Sequence, residues 1–171
     1  MHEINQVEID KKCYEKLCEL YRDAEIETIN LLIFSECSQG NDNFYLNNIL
    51  KSENTVNKKC LSGVNVGLIN GIVENNIRQH EYLGLIHNHV GNHYLFSKLD
   101  MYNAIKIALY LYQKYHIRYF FNLLYCEEKI KINLFDVKIK KVFSMDYIHF
   151  SIENYKVISF EEYIKVIKTG R

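Results

Sequence analysis

The sequence predicts a single domain of the α+β, or layered α/β/α, class. Helix-like and strand-like hydrophobic patterns are mixed along the chain, and two of the strand patterns are separated by a short turn typical of an antiparallel hairpin. The chain has 171 residues and contains no internal repeat, low-complexity stretch or obvious linker. This length suffices for one domain with a sizeable core, so we predict one domain over residues 1–171.

The N-terminal third predicts a helix followed by two strands. Residues 10–23 carry apolar side chains at close to helical spacing, and Asp10 is placed to cap the first turn. Residues 26–35 contain an apolar run that is typical of a buried strand. We further predict a turn at 38–43, a returning strand at 44–50 and a loop at 51–63.

The middle of the chain contains the clearest helix, at residues 97–115, preceded by a short buried strand at 82–89. Residues 64–79 are ambiguous, because their apolar spacing suits a helix while two glycines weaken it. Downstream we predict a hairpin of strands 117–126 and 129–139 across Glu127–Glu128, a further strand at 142–152, and a final helix at about 160–168, capped by Ser159 and Glu162.

Charge and composition exclude several classes of function. The chain has 21 Lys+Arg and 21 Asp+Glu, so its zero net charge gives no general reason to bind nucleic acid or an anionic membrane. No apolar run approaches the roughly 20 residues of a membrane span, and the polar N-terminus lacks a signal-peptide core. The five cysteines show no CxxC spacing, so we expect free thiols. A cytoplasmic protein without a nucleic-acid or membrane partner is expected.

One segment carries metal-ligand residue types at an informative spacing. Residues 87–89 read His-Asn-His, and seven residues later the chain reads Ser97-Lys-Leu-Asp100. Side chains two apart on a strand share one side, so His87 and His89 can meet at the end of the predicted strand. Asp100, in the first turn of the next helix, can fold back towards them. Two histidines and a carboxylate form a typical catalytic zinc set, although Ser-x-x-Asp is also a helix capping box.

These residues resemble the motif of the JAMM (JAB/MPN) zinc metallopeptidase family, which includes deubiquitinases. The family pattern is a glutamate on an early strand, then His-x-His, seven residues and Ser-x-x-Asp. Here it is matched by Glu27, His87, His89, Ser97 and Asp100. The resemblance covers most of the chain and is that of a minimal, prokaryotic-type member. It implies an α/β (α+β) fold, an MPN/cytidine-deaminase-like layered domain with a central mixed β-sheet flanked by helices.

The resemblance also implies an activity and a role for each residue. His87, His89 and Asp100 would hold Zn²⁺, one ion per chain. Glu27 is implied as the general base that moves a proton from water to the leaving amine, and Ser97 as the hydroxyl that stabilises the oxyanion. The implied enzyme is a hydrolase of peptide or isopeptide bonds that frees a ubiquitin-like protein from its conjugate or trims its C-terminus. Conjugation-enzyme homologues or a second copy of the chain are further implied partners.

Some alternatives stay open. Glu25 lies two residues before Glu27, and Glu36 lies on the same segment, but the apolar run after Glu27 fits the family register best. A catalytically silent MPN scaffold module is one other function. A RadC-like protein of uncertain activity is another, because RadC-like proteins share the His-Asn-His and Ser-x-x-Asp pattern.

The chain departs from the family pattern at four positions. Val90 and Phe96 stand where prolines are usual, and the chain contains no proline at all. Proline fixes φ, so we expect segment 90–96 to be more mobile than is usual in the family when zinc is absent. Asn30 and Phe34 stand where glycines are usual, and Phe34 is expected to narrow the groove for a substrate tail.

Overall fold

The computed structural model describes residues 6–37, 43–50, 66–91 and 93–170, which form four helices and one sheet of eight strands. The helices are α1 (Lys11–Tyr21), α2 (Val66–Asn76), α3 (Lys98–Tyr115) and α4 (Phe160–Thr169). The strands are β1 (Gln6–Glu8), β2 (Ile29–Glu36), β3 (Asn43–Leu50), β4 (Glu81–Asn88), β5 (Tyr119–Cys126), β6 (Lys129–Asp136), β7 (Lys141–Ile148) and β8 (Ser151–Ser159).

The strands are arranged in the order β1-β3-β2-β4-β5-β6-β7-β8. The β1–β3 and β4–β5 pairs are parallel, and the other five pairs are antiparallel. Strand β5 is buried along its whole length, as expected for a central strand. At the C-terminal end of β4, His87 lies opposite Ile29 of β2 and Leu124 of β5. A residue at this end is therefore flanked by strands on both sides.

The sheet curls around helix α1. One apolar cluster combines Leu17, Cys18 and Tyr21 of α1 with side chains from seven strands, β1 to β7. Seven flat strands would span about 29 Å at about 4.8 Å per strand, far wider than one helix of about 10 Å diameter can cover. The Tyr147 hydroxyl on β7 also donates to the carbonyl of Ile9, directly after β1, at 2.8 Å. The two ends of the sheet therefore approach each other.

The fold class expected from the sequence, an MPN/cytidine-deaminase-like layered α/β (α+β) domain with a central mixed sheet flanked by helices, is wrong. The molecule is a nearly closed, barrel-like mixed sheet in which strands outnumber helices. The physical reason is cumulative, because each strand pair adds right-handed twist and three successive hairpins extend the sheet from β5 to β8. The resulting curvature wraps the sheet around α1 instead of leaving a flat layer.

The second apolar cluster lies on the other face of the sheet and contains residues of helices α2, α3 and α4. Here the ambiguous segment at 64–79 proves to contain a helix, α2. The predicted helices at 10–23, 97–115 and 160–168 are confirmed to within two residues at each end. Among the described residues, no helix is long and apolar enough to cross a lipid bilayer.

Strand β8 was not predicted. The expected strand at 142–152 runs through the turn His149–Phe150, whose two residues both have positive φ. Turns of this kind normally contain Asn or Gly, so a His-Phe turn carries no recognisable signal. The expected loop at 51–63, most of the expected turn at 38–43 and Cys60 lie outside the described residues. The four described cysteines are free thiols, as predicted.

Phe34 and Asn30, which stand where the family pattern has glycines, are both buried in the core of the protein. The Phe34 ring is fully buried, stacks on the Phe121 ring at 4.0 Å and lies over Gly84, where an added Cβ would come within 2.8 Å of the ring. The expectation that Phe34 narrows a substrate groove is therefore wrong. Asn30 is also buried, and its side-chain amide donates to the Tyr21 hydroxyl at 2.7 Å, which in turn donates to the Ile86 carbonyl.

Candidate metal centre

The two histidines of the candidate centre lie at the end of β4. His87 is the penultimate residue of β4 and His89 follows the strand directly. Because side chains alternate along a strand, both imidazoles point to the side on which α3 packs, and their Nε2 atoms lie 3.2 Å apart. The His87 side chain is 2% exposed and that of His89 is 12% exposed. The pair is therefore close to, but not sealed from, solvent.

Asp100 completes the cluster from the first turn of α3. Its Oδ2 atom lies 3.3 Å from His87 Nε2 and 3.0 Å from His89 Nε2. Ligand atoms around a tetrahedral zinc, with bonds of about 2.0–2.1 Å, lie about 3.3 Å from each other. The three measured separations of 3.0–3.3 Å match that edge length. The residue set fits a zinc ion.

The Ser-x-x-Asp segment also serves as a helix cap. Ser97 Oγ accepts a hydrogen bond from the Asp100 amide at 3.1 Å, and Asp100 Oδ2 accepts one from the Ser97 amide at 2.8 Å. This reciprocal pair fixes the carboxylate in the orientation that faces the histidines. The capping and metal-binding interpretations of this segment are therefore compatible. Ser97 is exposed, so its hydroxyl is accessible from solvent.

The electrostatics of the cluster favour a bound cation. Burial alone would raise the pKa of the Asp100 carboxyl, but the hydrogen bonds from His87 and His89 outweigh burial and hold that pKa well below its usual range. The hydrogen bond to Asp100 raises the pKa of His89, against the smaller opposing effect of burial. A buried carboxylate that stays ionised attracts positive charge, from protonated imidazole or from a metal ion.

Several polar atoms of the cluster have no hydrogen-bond partner among the described residues. They are His87 Nδ1, Asp100 Oδ1 and Glu27 Oε2, all of them buried. Buried polar groups without partners are uncommon in folded proteins and frequently mark sites that bind water, ions or substrate. Similar unpartnered atoms occur at Asn43, Asn103 and Asn122, so these atoms are compatible with a bound ligand and do not by themselves define one.

Glu27 lies two residues before β2, in a segment that is not part of the sheet. Its side chain is half-buried, and it lies two residues before Ile29, which pairs with His87, so the register of the sheet places it at the end of β4 that carries His89. The alternative Glu25 is exposed. Glu36 lies at the opposite end of β2, where it accepts a hydrogen bond from the Tyr82 hydroxyl at 2.9 Å. Of the three carboxylates, Glu27 is the half-buried one at the end of β2 that pairs with His87.

His89 is oriented by the loop that follows it. Its Nδ1 atom lies 3.2 Å from the His93 carbonyl oxygen, which can only accept, so Nδ1 carries a proton and Nε2 is the ring nitrogen that faces Asp100. His93 therefore contributes through its backbone carbonyl, while the residue itself is exposed.

The loop is held by a contact that the sequence did not predict. The Tyr94 hydroxyl donates to Asp146 Oδ1 on β7 at 3.0 Å. Asp146 also accepts from Lys131 Nζ at 3.1 Å and from Asn154 Nδ2 at 2.8 Å, and it is 6% exposed. Burial would raise the pKa of Asp146, but the hydrogen bonds from Asn154 and Lys131 lower it overall. Tyr94 and Asp146 are 52 residues apart and belong to no recognised motif, so the sequence alone did not indicate their contact.

A cavity of about 210 Å³ lies beside His89. Its walls come from residues 21–24 at the end of α1, from Asn88 to Gly91, and from the β5–β6 turn at Cys126–Glu128. Of the three clustered residues, His89 lines this cavity.

Comparisons with known proteins add little to this geometry. No family model matches the chain, and no curated protein matches it. Among solved structures, the Trichoplax adhaerens STIL N-terminal domain is similar at 9% sequence identity and a TM-score of 0.37. The match covers 81% of this chain and 41% of that one, so this chain spans about two-fifths of the length of that structure. A likeness this weak carries no argument about function.

Proposed function

We propose that this chain is a zinc-dependent peptidase or isopeptidase of the JAMM type. The observation that carries the proposal is the convergence of His87 Nε2, His89 Nε2 and Asp100 Oδ2, at 3.0–3.3 Å from each other, at the end of β4 beside which the register places Glu27. A structural cap requires only Ser97 and Asp100. It does not require two imidazoles whose Nε2 atoms lie 3.3 and 3.0 Å from the same Asp100 oxygen.

In the proposed enzyme, His87, His89 and Asp100 hold one zinc ion. When bound, zinc supplies Lewis-acid chemistry that makes hydroxide available near neutral pH. Glu27 removes the proton of the attacking water and delivers it to the leaving amine nitrogen, so that water and an amide bond become a carboxylate and an amine. The exposed Ser97 hydroxyl donates a hydrogen bond to the oxygen that becomes negative during the attack.

The proposed substrate is a ubiquitin-like protein, either joined to a lysine by an isopeptide bond or carrying a short C-terminal extension. The proposed location is the cytoplasm, and the proposed partners are the substrate protein, conjugation-enzyme homologues and a second copy of this chain. Support for these points comes from the motif resemblance. The likeness lies in the metal centre, because the fold differs from the layered domain that the family implies.

The test combines metal analysis with turnover. The chain is purified without chelator, its zinc content is measured, and cleavage is assayed on isopeptide-linked di-ubiquitin. Any ubiquitin-like protein encoded beside the gene is assayed in the same way. We expect about one zinc per chain. Glu27→Gln is expected to keep zinc and lose about 10²–10⁴-fold in kcat, because general-base transfer is worth about that much.

Glu25→Gln is the matched control, because it makes the same chemical change two residues away on an exposed side chain. It is expected to retain both zinc and turnover. Protein that binds no zinc on reconstitution would overturn the proposal, as would full activity of the Glu27→Gln variant. A zinc-loaded protein with no turnover on the whole panel would instead favour a silent scaffold module.

A further inference from the structure

The backbone pairing between β2 and β4 stops at Ile29, two residues C-terminal to Glu27. The last backbone pair on this side joins Ile29 to His87, and the residues before Ile29 are not part of a strand. A segment that leaves a sheet in this way normally loses its backbone hydrogen bonds to solvent. Glu27 lies two residues before Ile29, so continuing the Ile29–His87 register places it opposite His89.

The Asn88 carboxamide takes the place of the next rung of the ladder. Its Oδ1 atom accepts a hydrogen bond from the Thr28 amide at 2.8 Å, and its Nδ2 atom donates one to the Ile26 carbonyl at 3.1 Å. These partners are the backbone groups immediately after and before Glu27. Asn88 thus binds the chain on both sides of that residue, and it is only 5% exposed.

The chemistry of the contact requires an amide. A carboxamide offers one acceptor and one donor in the same plane, as a peptide group does, whereas a carboxylate offers no donor and a hydroxyl is too short to reach both partners. The orientation of the amide follows from its partners, because the reversed orientation would place Oδ1 against a carbonyl and Nδ2 against an N–H.

Asn88 is not itself a candidate ligand. Alternation along β4 directs its side chain away from the side on which His87 and His89 meet. A change at Asn88 therefore leaves the three ligand atoms in place while it releases the segment that carries Glu27. Glu27 Oε2 has no hydrogen-bond partner among the described residues, whereas the backbone on both sides of Glu27 is bound by Asn88.

We propose that Asn88 is a positioning residue that holds Glu27 at the metal centre. The inference rests on the proposed role of Glu27 as general base. A displacement of about 1 Å in a catalytic group can cost about 10²-fold in rate. The loss of Asn88 should therefore act on kcat through Glu27, without a direct effect on zinc.

The test compares zinc-loaded Asn88→Ala, Asn88→Asp and Asn47→Ala with the unchanged chain. Asn47→Ala is the matched control, because the Asn47 amide also bridges two strands, donating to Glu81 Oε1 at 3.3 Å, but at the far end of β4. The readouts are the crystallographic position of Glu27, the hydrogen exchange rate of the Thr28 amide, the zinc dissociation constant, and kcat and KM.

For Asn88→Ala we expect a displaced Glu27 carboxylate and Thr28 amide exchange faster by about tenfold or more. We further expect a zinc dissociation constant within about twofold, and kcat lowered by about 10–100-fold at unchanged KM. Asn88→Asp keeps the shape and the acceptor, so Thr28 stays protected while the Ile26 contact is lost. It also keeps the test open if the alanine variant does not fold. Asn47→Ala is expected to change none of these readouts.

An unmoved Glu27 and a still protected Thr28 amide in Asn88→Ala would overturn the inference. So would unchanged kcat in an active enzyme whose Thr28 amide has been released. If no variant, including the unchanged chain, cleaves any probe while Glu27 moves in Asn88→Ala, the proposed activity fails. In that case Asn88 still positions Glu27.

Discussion

Helices α3 and α4 begin with the same pair of hydrogen bonds. In α3 the distances are 3.1 Å from the Asp100 amide to Ser97 Oγ and 2.8 Å from the Ser97 amide to Asp100 Oδ2. In α4 the corresponding distances between Ser159 and Glu162 are also 3.1 and 2.8 Å. The two capping boxes therefore share the same hydrogen-bond distances, although the N3 residue is aspartate in one and glutamate in the other.

Their surroundings differ. The Asp100 carboxylate is buried against two imidazoles, whereas Glu162 is exposed and faces only solvent-side lysines. The chain also reaches the two helices differently, because β8 runs directly into α4 while α3 follows the loop that starts at Val90. The same four-residue signal is therefore only a cap in one place and part of a candidate metal site in the other. The two sites differ because His87 and His89 contact the Asp100 carboxylate.

The largest difference is expected for the two acidic residues. Asp100→Asn keeps the shape of the cap but removes the anionic member of the proposed ligand set. Zinc affinity should fall by at least about 100-fold, because mutating a residue that merely hydrogen-bonds to a metal ligand already lowers metal affinity by about 10–100-fold. Glu162→Gln makes the matching change on α4 and should leave zinc affinity unchanged. Equilibrium zinc binding against a competing chelator measures both. Unaltered affinity in Asp100→Asn would remove Asp100 from the ligand set.

The two capping serines should separate stability from catalysis. Ser97→Ala and Ser159→Ala are each expected to lower the free energy of unfolding by about 1 kcal/mol, because each removes one N-cap acceptor. Only Ser97→Ala should also lower kcat, by about 10²–10³-fold, through loss of a donor to the oxyanion. Denaturant unfolding and steady-state kinetics give the two values. Equal kcat in both variants would leave Ser97 with the capping role alone.

The loop before α3 should depend on Tyr94. Tyr94→Phe removes the hydrogen bond to Asp146 and should cost about 1.5–3 kcal/mol of stability, the usual range for a hydrogen bond to a charged group. Because this loop supplies the His93 carbonyl that orients His89, zinc affinity should also fall, by up to about tenfold. Tyr82→Phe, which breaks the hydrogen bond to Glu36 at the other end of β2, is the control and should leave zinc binding unchanged. Equal zinc affinity in the two variants would contradict the role of the loop.

The smallest effect is expected from the pH dependence of the α4 cap. The hydrogen bond from the Ser159 amide lowers the pKa of Glu162 below its ordinary value. A carboxyl with a lowered folded-state pKa contributes stability above its unfolded-state pKa of about 4.3 and loses it as the pH falls through the folded-state value. The melting temperature of Glu162→Gln should therefore lie slightly below that of the unchanged chain at pH 7, and the two should converge near pH 3. A difference that grows on acidification would contradict this assignment.

Most of the helices could be predicted from the sequence because their signals are local. Caps such as Ser159 with Glu162, and apolar spacing within a few turns, lie within short windows of the chain. Strand β8 could not be predicted, because its preceding turn at His149–Phe150 lacks the residues that normally adopt positive φ. The expected layered fold was wrong for a related reason, since sheet curvature sums small twists over eight strands and leaves no local mark.

The candidate metal centre, too, could be predicted from the sequence only in part. The sequence alone established that His87 and His89 share one side of a strand and that Asp100 lies in the first turn of a helix, because both facts follow from the periods of strand and helix. Tertiary packing decided that these atoms meet at 3.0–3.3 Å and that the Asn88 carboxamide binds the backbone on both sides of Glu27. The Asn88 contacts join segments about 60 residues apart, and only the folded sheet brings such segments together.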